Sequence, residues 1–244
     1  MITIRRPEEI YLARGKIENG TFSGKWHFSF GNNYDPNNIN FGTLRVFNDD
    51  TLSPGAVWPL HPHTKNEVVT YCAEGEFRHA DQNGIGGILK KGWVQHTTIG
   101  TGMYHSEINN LPDKPMRFIQ MWFYPEQLGL KPSVEQMKVD KKDRTNKLLQ
   151  LVSNKYENTL PIRSDATVYS CFLEKNNTVS HECIKDWGIY LYVLSGGPIQ
   201  INQNNLPELS AVKITQERSL SIQAINDAEL LIIEVSMIAP YIDI

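Results

Sequence analysis

HPHTKNEVVTYCAEGEFRHADQNG, residues 61–84, sets two histidines either side of a proline. It then runs into a stretch rich in β-branched and aromatic residues, breaks at Glu74-Gly75, and resumes as a second short run that ends in a polar turn. Alternation bounded by glycine and polar turns is the pattern of paired strands. The same rhythm extends outward from about residue 41: GTLRVFND, GGILK, WVQHTTI, MYHSEIN and MRFIQMWFY follow one another with turns such as SPG, KG, GTG and LPDKP between them. Short strands at this spacing predict a sandwich or barrel, so the first half reads as all-β.

Residues 126–150 change character, with a basic run over Lys138–Lys147 and few β-branched residues before Asn146. They read as a connector with a solvated face. Strand-like runs then resume with TVYSCFLEK, IYLYVLSGGPIQIN, SAVKIT, SLSIQA and ELLIIEVSM. Laying Gly75 over Gly196, an offset of 121, superposes TYCAEGEFRH on LYVLSGGPIQ and Tyr71 on Tyr192. This weak repeat predicts two similar β-barrel domains in tandem, over residues 1–125 and 151–244.

The 244 residues carry a formal charge of −3 and 40% hydrophobic residues, enough to bury a sizeable core. No long basic block is present, which argues against a direct nucleic-acid partner. No apolar run approaches the roughly 20 residues of a membrane span, and the first residues lack a signal-peptide core. Three cysteines without CxxC spacing suit a reducing compartment. A soluble cytoplasmic protein, most simply a monomer, is expected.

Residues i and i+2 of a strand share a face, so His61 and His63 present both imidazoles to one side. GTGMYHSEIN repeats the device with His105 and Glu107 after a Gly-x-Gly turn. Two such pairs facing each other inside a barrel make a site of three nitrogens and one oxygen. These ligands suit Fe(II), the expected occupant, or nickel, copper, zinc or manganese, and the absence of thiolate argues against a structural zinc site.

Glu67 shares the parity of His63 beyond a bend and reads as an outer partner of an imidazole or as a general base, ahead of a fifth ligand. His79 and His96 read as half-exposed strand residues, His27 as a hydrogen-bonded packing residue, and Cys72 as a buried thiol. Under the 121 offset none of the four ligands recurs, and His181 stands alone. The second half therefore reads as a wall, lid or packing partner without a metal set.

The segments at 26–55, 61–84 and 95–109, with HPH and GTGxxHSE at their centre, resemble the pirin family of bicupins over about residues 20–125. The resemblance implies two tandem cupin (double-stranded β-helix) barrels and the ligands His61, His63, His105 and Glu107. The general cupin motif would instead take its carboxylate from Glu67. The resemblance further implies a metal-dependent quercetin 2,3-dioxygenase activity on a flavonol and O2, with Glu107 or Glu67 as proton acceptor. Its alternative is a redox-responsive interaction protein, as implied for nuclear pirins. One departure is His96, where relatives carry a bulky apolar residue.

Overall fold

The computed structural model describes residues 1–84 and 86–238. Its regular structure is β, interrupted by two short 3-10 turns at Pro7–Glu9 and Lys141–Arg144. The strands form four sheets, two for each half, and each pair of sheets closes around its own interior.

In the first half, a seven-stranded sheet runs in the order Ser133–Met137, Val94–Thr98, Glu67–Glu74, Met116–Phe123, Leu44–Leu52, Gly20–Trp26, Tyr11–Ile17. Facing it is a four-stranded sheet in the order Val57–His63, Met103–Asn109, Glu76–Asp81, Gly86–Lys90. Phe77, Leu89, Cys72, Phe118 and Leu52 fill one end of the space between them, so Cys72 is the buried thiol its strand pattern predicts. The second half repeats the plan with a six-stranded and a four-stranded sheet around Cys171, Val193, Ile222, Leu230 and Ile232.

The internal repeat is visible in backbone detail. Strand Glu67–Glu74 ends at Gly75 (φ +78°) and strand Trp187–Gly196 ends at Gly196 (φ +73°). A Cβ at either would lie within 3 Å of a backbone oxygen, that of Pro115 or Asp227, so both turns require glycine. Pairing with the next strand slips at the same place in both: Ala73 is passed over between Glu74 and Cys72, and Leu194 between Ser195 and Val193. Each slip is a β-bulge, which bends its strand toward barrel closure.

Sheet membership crosses the divisions suggested by the sequence. Ile2–Arg5 pairs with Ala211–Thr215 at the edge of the second half's large sheet, and Ser133–Met137, from the connector, extends the first half's large sheet. The connector also corrects its solvated reading at Arg144. That guanidinium is 4% exposed and lies 3.0 Å from Glu229 Oε1, because only a cation can compensate a carboxylate buried there.

One apolar cluster joins the halves, with Phe47, Tyr71 and Met121 packing against Tyr190, Tyr192 and Leu231. Two tyrosines 121 residues apart cross this seam in opposite directions: Tyr71 Oη donates to Glu229 Oε1 and Tyr192 Oη to Asp49 Oδ2, each at 2.6 Å. Asp49 also holds Arg117 through two hydrogen bonds of 2.7 and 2.6 Å. His27, read as a packing residue, is buried there with its Nδ1 2.7 Å from Tyr190 Oη.

Candidate metal centre

Strand Val57–His63 alternates as its sequence demands: Leu60 and Pro62 face outward while His61 and His63 turn in. It pairs with Met103–Asn109 so that His61 stands opposite His105 and His63 opposite Met103. A register shift between His105 and Glu107, where Trp58 becomes the partner, kinks the strand at Pro59-Leu60 and aims His61 inward. The three imidazoles meet with ring centroids 4.7–4.9 Å apart. One nitrogen from each falls within 4.8 Å of the others, a spacing that one ion can bridge.

Hydrogen bonds fix which nitrogen is free. His61 Nδ1 lies 2.8 Å from the carbonyl of Pro59, which can only accept, so Nδ1 carries the proton and Nε2 keeps its lone pair. His105 Nδ1 lies 3.0 Å from His79 Nε2, and His105 Nε2 is buried without a hydrogen-bond partner. Trp122 packs edge-on against His63 at 4.7 Å. Beyond it Val68, Ile99 and Met103 form an apolar wall.

Electrostatics prepare the donors. Burial lowers the imidazole of His63 to about 4 and that of His105 to about 2, with neighbouring histidines adding to the shift. Burial lowers His61 as well. Neutral imidazoles at physiological pH have the lone pairs that metal ligation needs. Glu107, 4% exposed, follows on the same strand. Burial and then the nearby Asp50 raise its carboxyl to about 8, against a hydrogen bond from Gln120. Burial raises Asp50 to about 7. Asp50 is thus a second buried carboxyl near Glu107. The orphaned Nε2 and the neutral imidazoles together fit a divalent cation.

The sequence expectations fare unequally. His61, His63 and His105 come together, whereas Glu107, two residues on from His105, is not among the converging ligand atoms; its Oε1 accepts from Gln120 Nε2, itself tied to Trp122 Nε1 through Oε1 at 3.0 Å. Glu67 does not join them. It lies on the opposite face of its sheet from Val68 and Thr70, where Oε2 accepts from His96 Nε2 (2.8 Å), Thr98 Oγ1 (3.1 Å) and the backbone N–H of Arg163 (3.0 Å). Lys65, at φ +61° between the two strands, breaks the alternation that parity relied on. Glu67 is therefore a seam residue, and its roles as imidazole partner at the site, metal ligand and base are withdrawn.

His96 and His79 are corrected too. Both are fully buried, His96 as the partner of Glu67 and His79 against His105. His79 was legible in one respect: it shares the parity of buried Phe77. In the second half, His181 pairs with Glu234 at 3.2 Å, and no metal cluster forms there among the described residues.

Two barrels of this topology, one carrying a histidine cluster inside, define a double cupin with a candidate metal centre in its first barrel. Family profiles match accordingly: Pirin over residues 11–123 and the quercetinase C-terminal cupin domain over 150–235. The chain belongs to the pirin family. It is 36% identical to a pirin-like protein of Caulobacter vibrioides (90% of this chain, 95% of that protein) and 32% identical to the quercetin 2,3-dioxygenase of Escherichia coli K12 (96% and 98%). Among solved structures, the bacterial pirin YhhW of Escherichia coli in complex with nickel(II) superposes with a TM-score of 0.88 at 29% identity, covering 97% of this chain and 99% of that one.

Proposed function

We propose that this protein is a metal-dependent dioxygenase that opens the ring of a flavonol-type enol with O2, a reading supported by its likeness to the Escherichia coli protein named quercetin 2,3-dioxygenase. The observation that carries the reading is the convergence of three neutral imidazoles, one with a buried unpartnered Nε2, with the buried Glu107 two residues on from His105. His61, His63 and His105 would hold a divalent transition metal, Fe(II) or Ni(II) among the candidates, with Glu107 as the fourth donor. When bound, such a metal supplies Lewis acidity that lowers the pKa of an enolic hydroxyl.

The protein's own groups account for the rest. As a carboxylate, Glu107 would take the enol proton at an Oε atom while Gln120 holds it in position. Trp122, Val68, Ile99 and Met103 exclude water from the face beside His63, protecting an activated substrate from hydrolysis. Gln120 links Trp122 to Glu107, so the wall and the base are oriented together.

The test is oxygen uptake by anaerobically metal-loaded protein on addition of quercetin, with carbon monoxide assayed and a His61→Ala control. Uptake with carbon monoxide that requires His61 supports the reading. Stoichiometric metal without oxygen consumption by any flavonol removes it, in favour of metal-gated binding to another protein.

A further inference from the structure

We propose that His79 is a positioning residue for the metal centre: its Nε2 accepts the proton of His105 Nδ1 and thereby fixes the tautomer and ring plane that aim His105 Nε2 at the ion. The inference rests on the metal reading above and adds a residue outside the ligand set.

His79 sits on strand Glu76–Asp81, directly opposite Glu107 in the pairing with Met103–Asn109. Its side chain is 2% exposed, and its ring stands across that of His105 at 5.0 Å and 85°. The 3.0 Å contact between His79 Nε2 and His105 Nδ1 has two possible directions. Were His79 the donor, His105 would carry its own proton on Nε2, the atom that faces the other imidazoles, and could not ligate. Were His105 the donor, Nε2 is left as a lone pair. Only the second arrangement agrees with the three-nitrogen cluster, and it requires His79 to be protonated on Nδ1 alone.

The surroundings hold His79 in that role. Gly86 and Gly87 cover it from the neighbouring strand, and a Cβ at Gly86 would lie 2.9 Å from His79 Nδ1 and 2.0 Å from its carbonyl oxygen. The ring therefore has no room to swing away from His105 on that side. Pro59 does the same for His61 with a backbone carbonyl. Two of the three imidazoles thus have their distal nitrogen occupied by a fixed acceptor, the outer arrangement that raises ligand basicity.

Wild type, His79→Leu and His79→Gln are compared by Ni(II) competition against a chromophoric chelator, by imidazole count from X-ray absorption, and by unfolding of the metal-free proteins. Loss of the acceptor in His79→Leu is expected to weaken Ni(II) binding about 10–100-fold while three imidazole ligands remain. Gln, whose amide oxygen reaches close to the place of Nε2, is expected to restore most of it. In Zn(II)-loaded, 15N-labelled wild type, His79 is expected to show an unprotonated Nε2.

Affinity of His79→Leu within twofold of wild type overturns the proposal, as does the opposite tautomer. A drop to two imidazoles would make His79 a ligand instead. Equal weakening in both variants, matched by equal loss of metal-free stability, would reduce His79 to packing. A wild type that binds no Ni(II), or a His61→Ala protein that binds it equally well, would instead sink the metal reading itself.

Discussion

Glu107 and Glu67 are both buried glutamates of the first barrel, and their surroundings set them to different work. Glu107 holds its proton to about 8 against an ordinary 4.5, so folding binds a proton there and the contribution to stability is lost as pH rises through that range. The buried imidazoles act oppositely, but only below their ordinary 6.5. Between about 6.5 and 8, metal-free wild type should therefore lose stability with rising pH, and Glu107→Gln should flatten that slope, leaving the part due to Asp50, as urea titrations at stepped pH would show. Glu67→Gln should leave Ni(II) content unchanged and cost about 1.5–3 kcal/mol, since it weakens hydrogen bonds to a buried carboxylate. Lost metal in that variant would return Glu67 to the site. The three ligand histidines were legible because i, i+2 parity is local. The side on which Glu67 lies was not, because one left-handed residue at Lys65 resets the count. Nor was the burial of His96, which depends on a partner 29 residues away, while that of His79 showed only in the parity it shares with Phe77.

At the scale of the strand, the two halves share a device: a strand that bulges two residues before the glycine on which it turns. Gly75→Ala and Gly196→Ala each force a side chain into a left-handed backbone and against a carbonyl oxygen, and each should cost about 1–3 kcal/mol in chemical denaturation. Losses below about 0.5 kcal/mol would show that the turns rearrange freely. The offset of 121 was readable in the sequence because glycine and tyrosine mark both turns. What the sequence could not convey was which sheet the peripheral strands join. Ser133–Met137 lies in a charged stretch yet completes the first sheet, where Val134 packs beside Trp122. Edge strands are paired on one side only and need little apolar patterning of their own.

At the scale of the whole molecule, the two halves share apolar and ionic contacts. Arg144, Glu229 and Tyr71 form one buried group across the seam, and Arg117, Asp49 and Tyr192 another. Arg144→Met leaves Glu229 buried without its cation and should cost about 3–5 kcal/mol. Denaturation followed by fluorescence and by circular dichroism should give coincident single transitions, since the central cluster draws on both barrels. Two separated transitions would mean that the barrels fold independently. A basic connector suggests solvated charge from composition alone, and Arg144 escaped that reading because its partner is Glu229, far along the chain.

The edge strand Ile2–Arg5 gives this architecture a direction in time. Ile2 faces Ile214 in the finished sheet, so on the ribosome this strand waits for the 212 residues up to its partner to be translated, roughly 10–40 s at ordinary elongation rates. During that interval its backbone groups are satisfied by water, while the first barrel can already close around its histidines. Pairing with Ala211–Thr215 is then the step that ties this strand to the second barrel, so a segment made before the first barrel reports on whether the second has formed.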